Sequence, residues 1–138
     1  MNRETLDYVR YRAARAEEAL HVARRALDDG ALHETVGRMY YACFYCVSAL
    51  LLTEGHTSGR HNGVWTLFDL HWINTGRLPK EMGRFFHRLF RNRQDADCAD
   101  MTTFDRADVE AWLHEAQEFI TAVSNQIEKQ IHLDTGKS

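Results

Sequence analysis

An all-α fold, an antiparallel up-and-down bundle of about five helices, is what three features of this 138-residue sequence predict. Apolar residues recur at spacings of three and four over long stretches, the signature of amphipathic helices. No segment alternates apolar and polar residues over strand length between turn signals, so a sheet has no source. One proline and eight glycines leave little punctuation in a chain that is 44% hydrophobic and 27% charged, which suits a single packed domain.

In the first helix Leu6, Val9, Ala13, Ala16, Leu20, Ala23 and Leu27 recur without a miss, while Arg12, Arg15, Glu17, Arg24 and Arg25 fall on other faces. Gly30, after Asp28 and Asp29, suits a left-handed stop. Leu32, Val36, Met39, Tyr40, Cys43, Val47, Leu50 and Leu51 form the stripe of a second helix running to about Glu54. Its other side carries Tyr41, Ala42, Tyr45 and Ala49, so the helix is expected to be covered all round, at the bundle centre or in a dimer contact.

Gly55 to Gly63 reads as a turn-rich loop, and Val64, Trp65, Phe68, Leu70, Trp72 and Ile73 as a shorter third helix ending at Gly76. Pro79 suits the first turn of a fourth helix, about Lys80 to Arg91. That segment divides cleanly, with Lys80, Arg84, His87, Arg88 and Arg91 on one face and Met82, Phe85, Phe86 and Leu89 on the other. After a polar, acidic stretch from Asp95 to Thr103, Asp105 is the expected N-cap of a last helix. Its inward residues are Val109, Trp112, Leu113, Ala116, Ile120, Val123, Ile127 and Ile131. Residues 1–133 are expected to form the domain and 134–138 a frayed tail.

A net charge of −3 and a pI near 6.2 argue against a generally basic nucleic-acid binder but leave room for a local patch. Three cysteines, an odd number, fail the pattern of a disulfide scaffold and favour a reducing compartment. The first residues lack the apolar core of a signal peptide, and the longest uncharged run, Met39 to Thr53, is fifteen residues, short for a bilayer crossing. A cytoplasmic protein with no membrane association is expected.

Cys43 and Cys46 have the C-x-x-C spacing, but in the middle of an apolar helix and without a second pair they read as core packing. The eight histidines form no H-x-x-x-H, and neither a glycine-rich phosphate loop nor a G-x-S-x-G elbow occurs. No metal and no cofactor is implied.

Charge patterning says more. From Arg77 to Arg93 six basic residues face only Glu81, a balance of +5, whereas Asp95 to Glu118 holds eight acidic residues against Arg106, a balance of −7. The blocks either neutralise each other across neighbouring helices or leave a phosphate-facing groove beside an acidic surface. Arg93 falls on the apolar side of a continued fourth helix, and Arg38 on a second helix expected to be buried. An inward guanidinium keeps its charge and needs a carboxylate, a phosphate or an interface; Asp97 is the nearest candidate in sequence for Arg93, and Tyr41 lies one turn from Arg38. The cluster is either a structural polar network or an anionic site.

Four blocks, Arg38-Met39-Tyr40-Tyr41-Ala42-Cys43-Phe44, His61-Asn62-Gly63-Val64, Thr75-Gly76-Arg77-Leu78-Pro79 and Arg93-Gln94-Asp95-Ala96-Asp97-Cys98, resemble in order and spacing the small prokaryotic HEPN domain family. The resemblance covers about Leu6 to Val123. It implies an antiparallel helical bundle that commonly dimerises and is often paired with a minimal nucleotidyltransferase in a toxin–antitoxin-like system.

Many HEPN proteins are metal-independent ribonucleases that carry an arginine, four to six intervening residues and a histidine. Here Arg93 matches the arginine, and Cys98 stands where active members have histidine and this branch has tyrosine. For RNA cleavage, the resemblance and the inward arginines together nominate Arg93 and Arg38 as phosphate ligands and Asp97 as their orienter. His61 would be the acid or base and Tyr41 a supporting hydroxyl. The alternative is a non-catalytic module that binds a nucleotide or a partner.

Overall fold

The computed structural model describes residues 1–98 and 103–135, with the side chains of all of these except 95–98 and 135. In chain order the elements are α1 (Arg3–Asp28), α2 (Leu32–Leu52), α3 (His61–Phe68), a π-helical turn (Asp69–Ile73), α4 (Lys80–Cys98) and α5 (Arg106–Thr135). No strand occurs among the described residues.

Local chemistry sets the ends of α1. The Asn2 side chain accepts from the Thr5 N–H at 2.8 Å, satisfying one of the open donors of the first turn. At the other end Gly30 adopts φ +79°, and the Ala31 and Gly30 N–H groups reach back to the carbonyls of Ala26 and Leu27. These are the two bonds that close a helix through a left-handed residue, as the sequence predicts for Gly30. Asp105 likewise caps α5, its carboxylate accepting from the Ala107 N–H at 2.9 Å.

Side-chain pairs fix the helix directions. Arg10 reaches Glu128 at 2.6 Å and the Met1 amino group reaches Asp134 at 2.6 Å, so α1 and α5 run antiparallel. Arg88 meets Glu115 and Phe85 meets Phe119, so α4 also opposes α5, whereas His33 beside Phe104 and Cys46 beside Ser124 make α2 parallel to it. The four long helices therefore alternate up and down, and α3 with its π turn bridges α2 to α4. The third helix is expected to end at Gly76; α3 stops at Phe68 and its π turn at Ile73, and Gly76, at φ +78°, closes the turn that follows.

α2 is the central helix, packed against α1, α3, α4 and α5. Val36, Met39, Tyr40, Cys43, Val47 and Leu50 are fully buried on it. By length and composition α2 could cross a membrane, but 67% of its apolar window is buried inside the bundle, where that surface forms the core. Cys43 and Cys46 belong to this core, and burial pushes both thiols up, Cys46 to about 12.

Several expectations need correction. Within a single chain α2, although central, is not covered all round: Arg38 is exposed, and Tyr41, Phe44 and Tyr45 are only half-buried. α3 starts at His61, so residues 61–63 are helical where a loop is predicted, and α4 continues about two turns past Arg91. α5 runs to Thr135, with Asp134 tied to Met1, so residues 134 and 135 extend the last helix; residues 136–138 lie outside the described residues.

Candidate functional site

The polar cluster lies where α2, α3 and α4 meet. Because α4 continues as a helix, Arg93 points back toward α2 and its Nη2 donates to the Tyr41 hydroxyl at 2.8 Å. The guanidinium carbon stands 5.2 Å from the centre of the Tyr41 ring and 5.7 Å from that of Tyr40. Two ring faces beside a guanidinium hold it by cation–π attraction and by its flat shape.

The first residue of α3 completes the cluster. His61 Nδ1 is 2.7 Å from the Tyr40 hydroxyl, and its ring stacks on Phe44 at 4.4 Å between centres. Phe90 lies edge-on to Tyr40 at 5.5 Å and closes the wall from α4. Burial lowers the His61 pKa below its usual 6.5, and the Arg93 cation pushes in the same direction, so the imidazole is neutral at pH 7. Burial also holds the Tyr40 phenol above its ordinary range, against the pull of Arg93, so that hydroxyl stays protonated.

Of the residues nominated from the sequence, Arg93, Tyr41 and His61 come together. Arg38 does not join them as an inward cation. It is exposed, and with Arg15, Glu18, Tyr41 and Tyr45 it lines a shallow groove of about 250 Å³ between α1 and α2. The sequence places it one turn from Tyr41, which is right, but that turn lies on the uncovered edge of α2. Asp97 lies on α4 one turn beyond Arg93, and its side chain is outside the described residues, as is that of Cys98.

Tyr40, Phe44 and Phe90 escape sequence reasoning as members of the site, because in pattern they are ordinary core residues. A hydroxyl at the only polar end of a fully buried ring is the available signal for Tyr40, since a buried phenol needs a partner. A His–Asp pair also goes unforeseen. His87 Nε2 is 2.8 Å from Asp69 Oδ2, and the Trp65 ring lies 4.7 Å from the imidazole. The π turn sets Asp69 against Gly83 of α4, where an added Cβ would sit 3.2 Å from the carboxylate.

Among the described residues no group of three or more His, Cys, Asp or Glu side chains is arranged to hold a metal ion. The chemistry on offer at the cluster is a fixed cation beside a neutral imidazole, which can bind a phosphate and move a proton.

A family model described as HEPN domain matches residues 9–127. A UPF0332 protein of Thermotoga maritima is 38% identical over 120 residues, which are 87% of this chain and 91% of that protein. Two proteins of Methanocaldococcus jannaschii are each 30% identical. "Putative toxin MJ0605" aligns over 83% of this chain and 84% of its own, and "Putative toxin MJ0142" over 77% and 72%. With the bundle, its direction pattern and the match over most of its length, the chain belongs to the HEPN domain family.

Proposed function

We propose that this HEPN protein is a toxin-like ribonuclease that works without metal, with Arg93 as the phosphate ligand and His61 as the proton carrier. The observation that carries the reading is the placement of His61. A histidine from the start of α3 stands in the cluster of Arg93, Tyr41 and Tyr40, and supplies the imidazole that Cys98 does not provide on α4. The names of the Methanocaldococcus relatives support the toxin-like part.

The base form is the tautomer with its proton on Nδ1, donated to the Tyr40 oxygen, which leaves the Nε2 lone pair open. Nε2 takes the proton of an RNA 2′-hydroxyl as that oxygen bonds to the adjacent phosphorus. The bond to the 5′-oxygen breaks, a solvent proton neutralises the leaving alkoxide, and the products are a 2′,3′-cyclic phosphate and a 5′-hydroxyl. Arg93 stabilises the charge that builds on the phosphate oxygens. His61 then returns its proton to water.

In this reading the protein acts as a homodimer, a second copy covering the Arg38–Tyr41–Tyr45 strip of α2, with a minimal nucleotidyltransferase as its partner. A second reading, a non-catalytic nucleotide- or partner-binding module, draws on Tyr41 holding Arg93 and Tyr40 holding His61 in an internally bonded network. Incubation of purified protein with mixed cellular RNA in EDTA separates the two. Cleavage to cyclic phosphates, lost in Arg93→Ala and in His61→Gln variants that stay folded, is the expected result. Nucleotide binding without cleavage would establish the module instead.

A further inference from the structure

We infer that the outer face of α4 is a second, separate site that binds the phosphate chain of single-stranded RNA. Lys80, Arg84, His87, Arg88 and Arg91 line, with Asp69, a groove of about 540 Å³, roomier than the one beside Arg38. The row from Lys80 to Arg91 runs about 16 Å along the helix, the span of a stretch of strand rather than of one phosphate. Among the described residues Lys80, Arg84 and Arg91 are in no ion pair, and Arg88 pairs with Glu115, both partners being about half-exposed. Such a pair contributes little, and among the described acidic residues from Asp105 to Glu118 only Glu115 is in an ion pair with this face.

Asp69 does not reverse the charge of the groove. Its carboxylate is taken up by His87 at 2.8 Å, which leaves the basic row as the dominant field. The occupant is argued from what borders that row. Trp65 lies beside His87, is only half-buried, and has its ring 4.4 Å from Phe90, which in turn approaches His61 at 6.2 Å. Rings next to a line of cations suit unpaired bases stacked beside their own phosphates. His61 and Trp65 are four residues apart on one face of α3, so the same aromatic path leads from the groove to Arg93. A strand held by Arg84 and Arg91 is thereby delivered to the cluster on the far side of the helix. That RNA is the polymer rests on the function proposed above; the groove itself does not.

The test measures equilibrium binding of a fluorescent 20-nucleotide 2′-O-methyl RNA, which lacks the hydroxyl that cleavage requires, at several salt concentrations. The double variant Arg84→Gln/Arg91→Gln should bind about tenfold more weakly and show a log–log salt slope flatter by about 1.4, the value for two lost phosphate contacts on a single strand. Arg3→Gln/Arg25→Gln, the same charge change placed on exposed residues of α1, should stay within about twofold of wild type. Equal weakening of the two double variants, or no wild-type binding at 50 mM salt, would overturn the proposal. So would competition by polyglutamate as strong as that by unlabelled RNA, which would assign the groove to an acidic protein. Because every variant keeps Arg93 and His61 and the ligand cannot be cut, failure of the proposed cleavage leaves this result standing.

Discussion

On one side of α4 a single guanidinium, that of Arg93, is fixed by the Tyr41 hydroxyl and by two aromatic rings beside His61. On the other side Lys80, Arg84 and Arg91 face solvent around an open groove, with no ion pair among the described residues. The same charge is put to different uses by its surroundings. Rings and hydroxyls aim Arg93 at one place, and a partly dry site strengthens what it does there. The groove cations are exposed to water, so they attract a polyanion over a length and respond to salt.

RNA cleavage separates the two faces most widely. Arg93→Ala or His61→Gln should reduce the rate by about 100- to 1,000-fold at any salt, the range for loss of a positioned proton carrier or an electrostatic stabiliser. Arg84→Gln/Arg91→Gln should reduce kcat/KM only about tenfold, with the deficit shrinking as salt rises. Single-turnover cleavage assays across a salt series measure both. Equal losses in the two sets would erase the distinction between the faces.

Stability gives the next largest contrast. Arg93→Ala leaves the Tyr41 hydroxyl and two ring faces without their cation and should cost about 1–2 kcal/mol in urea unfolding. Arg84→Ala, on the exposed face, should stay within about 0.5 kcal/mol. Tyr40→Phe removes only the hydroxyl that meets His61, so a loss of about 1 kcal/mol is expected, together with a fall in cleavage rate from a misaimed imidazole.

The fold is written in the sequence more plainly than the site. The apolar stripes found by spacing are buried or half-buried apart from Leu70, which is exposed, and Gly30 and Asp105 end and begin helices as their chemistry requires. Arg93 could be recognised as inward because a cation interrupts an otherwise apolar face. Arg38 misleads because α2 is apolar nearly all round, and composition does not tell a tyrosine lining a surface groove, such as Tyr41, from a fully buried one, such as Tyr40. His61 reads as a loop residue since Gly55 to Gly63 is dense in turn formers and α3 opens without a side-chain cap. The meeting of Tyr40 with His61 spans 21 residues, and that of Asp69 with His87 depends on a π turn, so neither follows from local periodicity.

The smallest effect concerns acid stability. His61 has a lower pKa folded than in the unfolded chain, so it contributes stability above pH 6.5 that is lost as pH falls through the folded value. Below pH 6.5, thermal midpoints of wild type should therefore fall faster than those of His61→Gln. The Arg84→Gln variant should follow wild type, because the shift of His61 comes from burial and from Arg93, not from Arg84.

The coupling of Arg93 to His61 is tested most directly by the NMR titration of the His61 imidazole in wild type, Arg93→Gln and Arg84→Gln. The midpoint should lie below 6.5 in wild type, rise when Arg93 loses its charge, and stay put when Arg84 does. An imidazole that titrates at or above 6.5 and ignores the loss of Arg93 would contradict a shared site.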